Sequence, residues 1–244
     1  MKNAKSWILT PLYYLAFGLT LAVFHVIQWV SFYFGGYNAH KISVDYFNST
    51  LVLCLRIMGI RFEFINNQNL PPGKPYIFVS NHQSLYDISP LYHFLKPYHI
   101  KFVSKKELGR WIPGISFNLK HGGSALIDRK NPRQAITALR NFAKYIEKNN
   151  YSAVIFPEGT RSKDGIPKKF HADGLKVLMK FAPNAVIVPI TINNSWEIGK
   201  NGAFPLTPDV KVDMQVHKPV EQGDIAPDEL IAFVEQTIKS AIIR

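Results

Sequence analysis

The stretch NPRQAITALRNFAKYIEKNNYSAVIFPEGTRS, residues 131–162, changes its period halfway along. In the first part Ala135, Ile136, Leu139, Phe142, Ala143 and Ile146 recur every three or four positions, so one face of a helix is apolar. Asn131 offers a side-chain oxygen to the first free amides, and Pro132 occupies the first helical position, where an N–H is not needed. From Ser152 to Pro157 the pattern becomes a short apolar run, which reads as a strand. A polar segment containing Gly159 follows. The succession predicts an α/β unit.

The same alternation extends over the chain beyond residue 60. RFEFI (61–65), YIFVS (76–80), IKFVS (100–104), SALID (124–128), SAVIFP (152–157), AVIVPITI (185–192) and VKVDMQV (210–216) read as strands. Further helices are predicted over 171–182 and 227–243. The expected fold is α/β: a mixed, partly parallel sheet flanked by helices, with an N-terminal apolar helical membrane element. NNQNLPPGKP (66–75) is a loop between the two parts, giving a membrane-associated segment at 1–60 and an α/β domain at 61–244.

No Lys, Arg, Asp or Glu occurs from Ser6 to His40. The run at 7–34 would measure about 42 Å as a helix, against roughly 30 Å of bilayer hydrocarbon. It is too long for the apolar part of a signal peptide and lacks a small-residue cleavage site before Gly35, so an uncleaved membrane element is expected. His25, Gln28 and Ser31 form a polar seam that lipid alone would not satisfy. Gly35-Gly36 breaks the helix, and a second apolar segment runs from Ile42 to Ile60. Two packed helices dipping into one leaflet and a single span both fit this pattern.

The net charge of +12 is unevenly distributed. Residues 1–100 carry +4, residues 101–180 carry +11 and residues 181–244 carry −3. A field of that sign attracts phosphates on nucleic acid, anionic lipid or an acidic substrate. Cys54 is the only cysteine, which excludes an internal disulfide and points to a reducing compartment. No histidine has partners at metal-ligand spacing, so no bound metal is expected.

Two segments carry chemistry, each directly after a predicted strand, where ligand groups gather in such sheets. In NHQSLYD (81–87), His82 on a loop and Asp87 in the first helical turn allow the chain to fold back. Asp87 would then accept from one ring nitrogen and leave the other as a general base. The unperturbed imidazole pKa, about 6.5, suits that task. Ser84 is not on a glycine-flanked elbow and fits a helix cap better than a nucleophile. In FPEGTRS (156–162), Gly159 permits a tight turn with amides facing an anion, Thr160 adds a hydroxyl, and Arg161 adds a planar fork for a phosphate. Lys163, Lys168 and Lys169 extend the positive surface. Glu158 either positions Arg161 or accepts from a substrate hydroxyl.

Together these segments resemble the N-H-x-S-x-x-D and F-P-E-G-T-R-S blocks of the glycerolipid acyltransferases, with the closest likeness to the 1-acyl-sn-glycerol-3-phosphate (lysophosphatidate) acyltransferases. KKELGRWIPGI (105–115), GGSALIDR (122–129) and IVPITI (187–192) fall in the order that family shows. The resemblance covers roughly residues 60 to 220. It implies acyl transfer from acyl-CoA or acyl carrier protein to the sn-2 hydroxyl of lysophosphatidate, without a cofactor. His82 and Asp87 would be catalytic. Glu158, Gly159, Thr160 and Arg161 would bind the glycerol phosphate, joined by Arg129 and Lys105. The implied partners are membrane lipid, the acyl thioester and an anionic membrane surface, with the catalytic domain facing the cytoplasm.

Another lysophospholipid or glycerol 3-phosphate would be served by the same blocks. A non-catalytic basic protein binding membrane or nucleic acid would explain the charge without chemistry. It would require aromatic residues interleaved with the cations as stacking platforms. Phe102, Trp111, Phe117, Phe142 and Phe156 mostly fall at core positions instead, so no nucleic-acid partner is expected.

Overall fold

The computed structural model describes residues 2–223 and 225–243. Within them one seven-stranded sheet is formed by β1 (Arg61–Asn66), β2 (Tyr76–Ser80), β3 (Ile100–Lys105), β4 (Ala125–Ile127), β5 (Ser152–Ile155), β6 (Val186–Asn193) and β7 (Lys211–Val216). Each predicted strand is present, with ends shifted by one or two residues. The order is β1-β7-β6-β2-β5-β3-β4. β2 pairs in parallel with both β5 and β6, and β3 in parallel with β5 and β4. β7 runs antiparallel to β6 and carries β1 parallel beside it. The sheet is therefore mixed, as expected.

Side chains alternate between two apolar layers. Tyr76 and Phe78 of β2 face a core shared with Leu91, Tyr92, Cys54 and Leu55, which brings α1 (Lys2–Ile57) and α2 (Ile88–Phe94) onto one side. Ile77 and Val79 face the other side, covered by α4 (Pro132–Asn149), α5 (Ala172–Phe181) and α6 (Pro227–Ser240). α4 begins as anticipated: Asn131 Oδ1 accepts from the Gln134 amide at 3.1 Å. Such a cap is worth about 1 kcal/mol. Burial of Leu139, Phe142 and Ile146 against the sheet stabilises by about 1.5–3 kcal/mol each. The short α3 (Ile115–His121) was not legible in the sequence, since seven residues barely complete two turns.

α1 is apolar and long enough to cross a membrane by length and composition, with only 11% of its most apolar window buried. It is two helices in one run. Gly36, at φ 72° and ψ −168°, breaks the helical geometry and folds the chain back. The halves pack antiparallel: Thr20 Oγ1 lies 3.4 Å from Cys54 Sγ, the Phe24 and Phe47 rings are 5.5 Å apart, and those of Phe32 and His40 5.6 Å. Part of the polar seam faces protein. His25 Nδ1 accepts from the Gly114 amide at 3.2 Å, and Gln28 is buried. The hairpin lies over the sheet with Trp7, Leu15, Leu19, Val23 and Val26 each more than half exposed.

Candidate active site

The ends of the parallel neighbours β2 and β5 release their loops side by side. After β2 the chain runs through Asn81, His82 and Gln83 into a 3₁₀ turn, Leu85–Asp87. Ser84 caps this turn, as its sequence suggested: its hydroxyl accepts from the Tyr86 amide at 3.4 Å, and its own amide donates to Asp87 Oδ2 at 2.9 Å. This reciprocal box folds Asp87 back over the loop. His82 Nδ1 meets Asp87 Oδ2 at 2.8 Å. That oxygen also accepts from the Gln83 amide at 2.8 Å. An oxygen receiving two amide protons acts as an acceptor, so Nδ1 donates to it, and in the neutral imidazole the lone pair lies on Nε2. Nε2 has no hydrogen-bond partner among the described residues, and the His82 side chain is 17% exposed. Asp87 is fully buried.

Phe156 holds the ring from one side. Its face stacks on the imidazole at 4.1 Å between centroids and 17° between planes. The sequence offered no signal for this contact beyond the strand position of Phe156.

The second loop turns sharply. Gly159 adopts φ 69°, where other residues are strained, and its amide donates to the Phe156 carbonyl at 3.0 Å. Its amide therefore closes the turn instead of facing outward. The amides of Thr160 and Arg161 make no hydrogen bond among the described residues, and both side chains are exposed. Lys168 crosses above them, donating to Thr160 Oγ1 at 2.8 Å and to the Arg161 carbonyl at 3.1 Å. The Arg129 guanidinium reaches the same turn and donates to the Gly159 carbonyl. Lys105 ends β3 in solvent and makes no hydrogen bond or ion pair to either loop among the described residues.

Glu158 sits differently from a substrate contact. It is 2% exposed, and its oxygens accept from the amides of His82 at 2.8 Å and Lys168 at 2.7 Å. Burial pushes its pKa up, while those two amides pull the other way. One carboxylate thus ties the histidine loop to the arginine loop. The Ser162 amide adds a second tie, donating to the His82 carbonyl at 2.8 Å.

A third segment joins the site. Asn81 exchanges two hydrogen bonds with the main chain of Ile192, its Nδ2 donating to the carbonyl at 2.8 Å and its Oδ1 accepting from the amide at 2.7 Å. This clamp brings the end of β6 against the dyad. Ser195, just beyond, donates to Asp87 Oδ1 at 2.5 Å. Sequence reasoning noted the IVPITI block but had no means of linking Ser195 to Asp87.

An oriented imidazole on a buried carboxylate can move a proton, and the adjacent cationic turn can hold an anion. The chain matches the family model described as acyltransferase over residues 61–193. It is 30% identical over 179 residues to a 1-acyl-sn-glycerol-3-phosphate acyltransferase of Chlamydomonas reinhardtii, covering 73% of this chain and 52% of that one. It is 32% identical to a chloroplastic enzyme of the same name from Brassica napus, covering 66% of this chain and 46% of the other. The alpha form from Mus musculus is 26% identical, with 76% and 64% covered. The chain thus spans about half to two thirds of the length of these relatives. The crystal structure of the 1-acyl-sn-glycerophosphate (LPA) acyltransferase PlsC from Thermotoga maritima superposes with a TM-score of 0.75 at 24% identity, covering 98% of this chain and 95% of that one, and shares its fold. The family model spans β1 to β6, both loops and the Asn81–Ile192 clamp, and on that match the chain belongs to the acyltransferase family.

Proposed function

We propose that this chain transfers a fatty acyl group from an acyl thioester to the sn-2 hydroxyl of 1-acyl-sn-glycerol 3-phosphate, giving phosphatidate. The observation that carries the reading is the His82–Asp87 pair, its imidazole 17% exposed and its loop tied to the cationic turn. The relatives' names supply the acceptor.

In this reading Nε2 of His82 takes the proton of the acceptor hydroxyl as its oxygen attacks the thioester carbonyl carbon. A C–O bond forms, the C–S bond breaks, and the departing thiolate recovers the proton from Nε2. Asp87 fixes the tautomer and offsets the imidazolium charge. A thioester is already activated, so positioning the two substrates supplies much of the acceleration and neither an acyl-enzyme nor a metal enters the scheme. The acceptor phosphate rests on the free amides of Thr160 and Arg161, the Arg161 fork and Lys168, with Arg129 bracing the turn and Lys105 at its margin. Glu158 holds the loops in register.

Residues 1–60 form the membrane-associated element and 61–244 the catalytic domain. The apolar outer face of the α1 hairpin suits insertion into one leaflet, because the fold-back at Gly36 returns both halves to the sheet. Trp111 extends that surface. It is 95% exposed at φ 70°, follows Arg110, and lies three residues before Gly114, which contacts α1. Tryptophan favours the headgroup level of a bilayer, and flanking cations favour anionic lipid. The catalytic domain faces the cytoplasm, where its basic surface meets the acidic donor, acyl-CoA or acyl carrier protein. Of the aromatics among the cations, Phe102, Phe117, Phe142 and Phe170 are buried in the core, whereas Trp111, expected with them, is exposed; the four buried rings offer no stacking face, which favours lipid over nucleic acid in this reading.

The test is transfer of a labelled acyl group from acyl-CoA, and separately from acyl carrier protein, to lysophosphatidate, other lysophospholipids and glycerol 3-phosphate. Labelled phosphatidate is the expected product. Preference for another acceptor reassigns the substrate, and no transfer to any of them overturns the reading.

A further inference from the structure

We infer that Ser195 is a positioning residue for the proton-transferring pair, acting through Asp87; this rests on the reading of His82 as the base. Asp87 Oδ2 serves three donors: His82 Nδ1, the Gln83 amide and the Ser84 amide. All three lie on the same loop, so they leave the carboxylate free to rock about the Oδ2 end. Oδ1 is held from elsewhere. The Ser195 hydroxyl donates to it at 2.5 Å across 108 residues of sequence, and Ser195 is fully buried. Its other acceptor contact, Gln83 Oε1, is much longer at 3.4 Å, so the single hydroxyl proton belongs to Asp87.

Removing that proton has two consequences. A buried carboxylate oxygen loses its donor, which is costly in an apolar interior. The carboxylate plane is also no longer fixed from both ends, so the angle at which Oδ2 meets Nδ1 is released. Nε2 on the far side of the ring then no longer holds one direction toward the acceptor hydroxyl.

The surroundings are built to keep Ser195 in place. The Asn81 clamp on Ile192 fixes the end of β6, Asn193 is tied to α6 through the Ala241 carbonyl at 3.0 Å, and Asn194 turns the chain inward at φ 68°. Gln83, on the other side of the serine, donates to the Gly165 carbonyl at 3.1 Å. Ser195 thus joins the segment after β6 to the dyad, and Gln83 joins the dyad loop to the segment following Arg161. This supplies a physical reason for a short block far from both loops to belong to the site.

The experiment compares wild type, Ser195→Ala, His82→Ala and the double variant by kcat, acceptor KM and thermal midpoint, using lysophosphatidate and acyl-CoA. Ser195→Ala is expected to lower kcat about tenfold with the acceptor KM unchanged. In the His82→Ala background it is expected to have no further effect, because a positioning residue has nothing left to position. Wild-type kcat in Ser195→Ala, or an equal proportional loss in both backgrounds, overturns the proposal. The His82 Nδ1–H proton resonance in histidine-labelled protein gives a second readout that needs no turnover. It is expected to move in Ser195→Ala, and an unmoved signal overturns the proposal. If Ser195→Ala does not fold, Ser195→Cys keeps a weak donor of similar size, and an intermediate kcat is expected. Should His82→Ala retain full activity, the base assignment fails, and the resonance still decides whether Ser195 orients the ring.

Discussion

The main-chain amide of Ser162 donates to the main-chain carbonyl of His82 at 2.8 Å. These residues lie 80 positions apart, and their bond sets the arginine loop directly against the histidine loop. Glu158 repeats the tie with its side chain. The imidazole and the cationic turn are thereby held side by side, the arrangement that the proposed transfer calls for.

Replacing His82 by alanine is expected to lower kcat by about 10²–10⁴-fold with an unchanged thermal midpoint, the usual contribution of a general base. Asp87→Asn should also lose activity, because the amide nitrogen would face either the three N–H donors at Oδ2 or the hydroxyl donor at Oδ1, and a neutral amide does not offset an imidazolium charge. Steady-state rates beside circular dichroism check both; a folded His82→Ala protein with wild-type turnover contradicts the assignment.

Arg161→Lys is expected to raise the KM for lysophosphatidate several-fold while kcat changes little. A point charge retains attraction but lacks the paired N–H geometry of guanidinium. An acceptor titration at saturating acyl-CoA measures this, and an unchanged KM would place Arg161 outside the site.

Glu158→Gln tests the tie between loops. An amide cannot accept from both the His82 and Lys168 N–H groups as the carboxylate does, and an unsatisfied buried donor costs about 1–3 kcal/mol. The variant should unfold earlier in urea. Because burial raises the Glu158 pKa, the folded chain holds more protons than the unfolded one between the ordinary carboxylate range and that raised value. Its contribution to stability is therefore full at low pH and fades as pH rises through that window. In Glu158→Gln this component of the pH slope should vanish.

Lys101 gives the opposite sign. It is buried between the Tyr37 and Tyr151 rings, 5.2 and 5.7 Å from their centroids, with no carboxylate in ion-pair contact among the described residues. Burial, with help from Lys41, lowers its pKa to about 7. The unfolded chain then binds more protons between about 7 and the usual lysine value near 10.4, so stability rises with pH across that range. Lys101→Met should flatten the rise and gain most at or below pH 7. Thermal midpoints of both proteins from pH 6 to 10 check it.

Val23 lies on the outer face of α1, 53% exposed, so Val23→Asp should leave folding intact. Centre-of-helix aspartate costs about 2.5–3.5 kcal/mol on insertion, and binding to lipid vesicles should weaken accordingly. Cosedimentation with vesicles of phosphatidylglycerol is the measurement; undiminished binding would mean that this face does not enter the bilayer.

Much of the molecule could be read from local pattern. Strand and helix periods, the Asn131 cap, the Ser84 cap and the glycine break before residue 37 are decided within a turn or two of chain, where neighbouring side chains and backbone geometry suffice. The fold-back of NHQSLYD that brings His82 to Asp87, and the tight turn at Gly159 in FPEGTRS, belong to that class. Strand order does not: that β2 lies between β5 and β6 follows from how two apolar layers close over both faces of the sheet. Only that closure decides that Glu158 turns inward to hold two loops, that Phe156 lies flat on the imidazole, and that Ser195 reaches Asp87. Each depends on a hydrogen bond or ring contact between segments far apart in sequence, and such contacts have no periodicity to announce them.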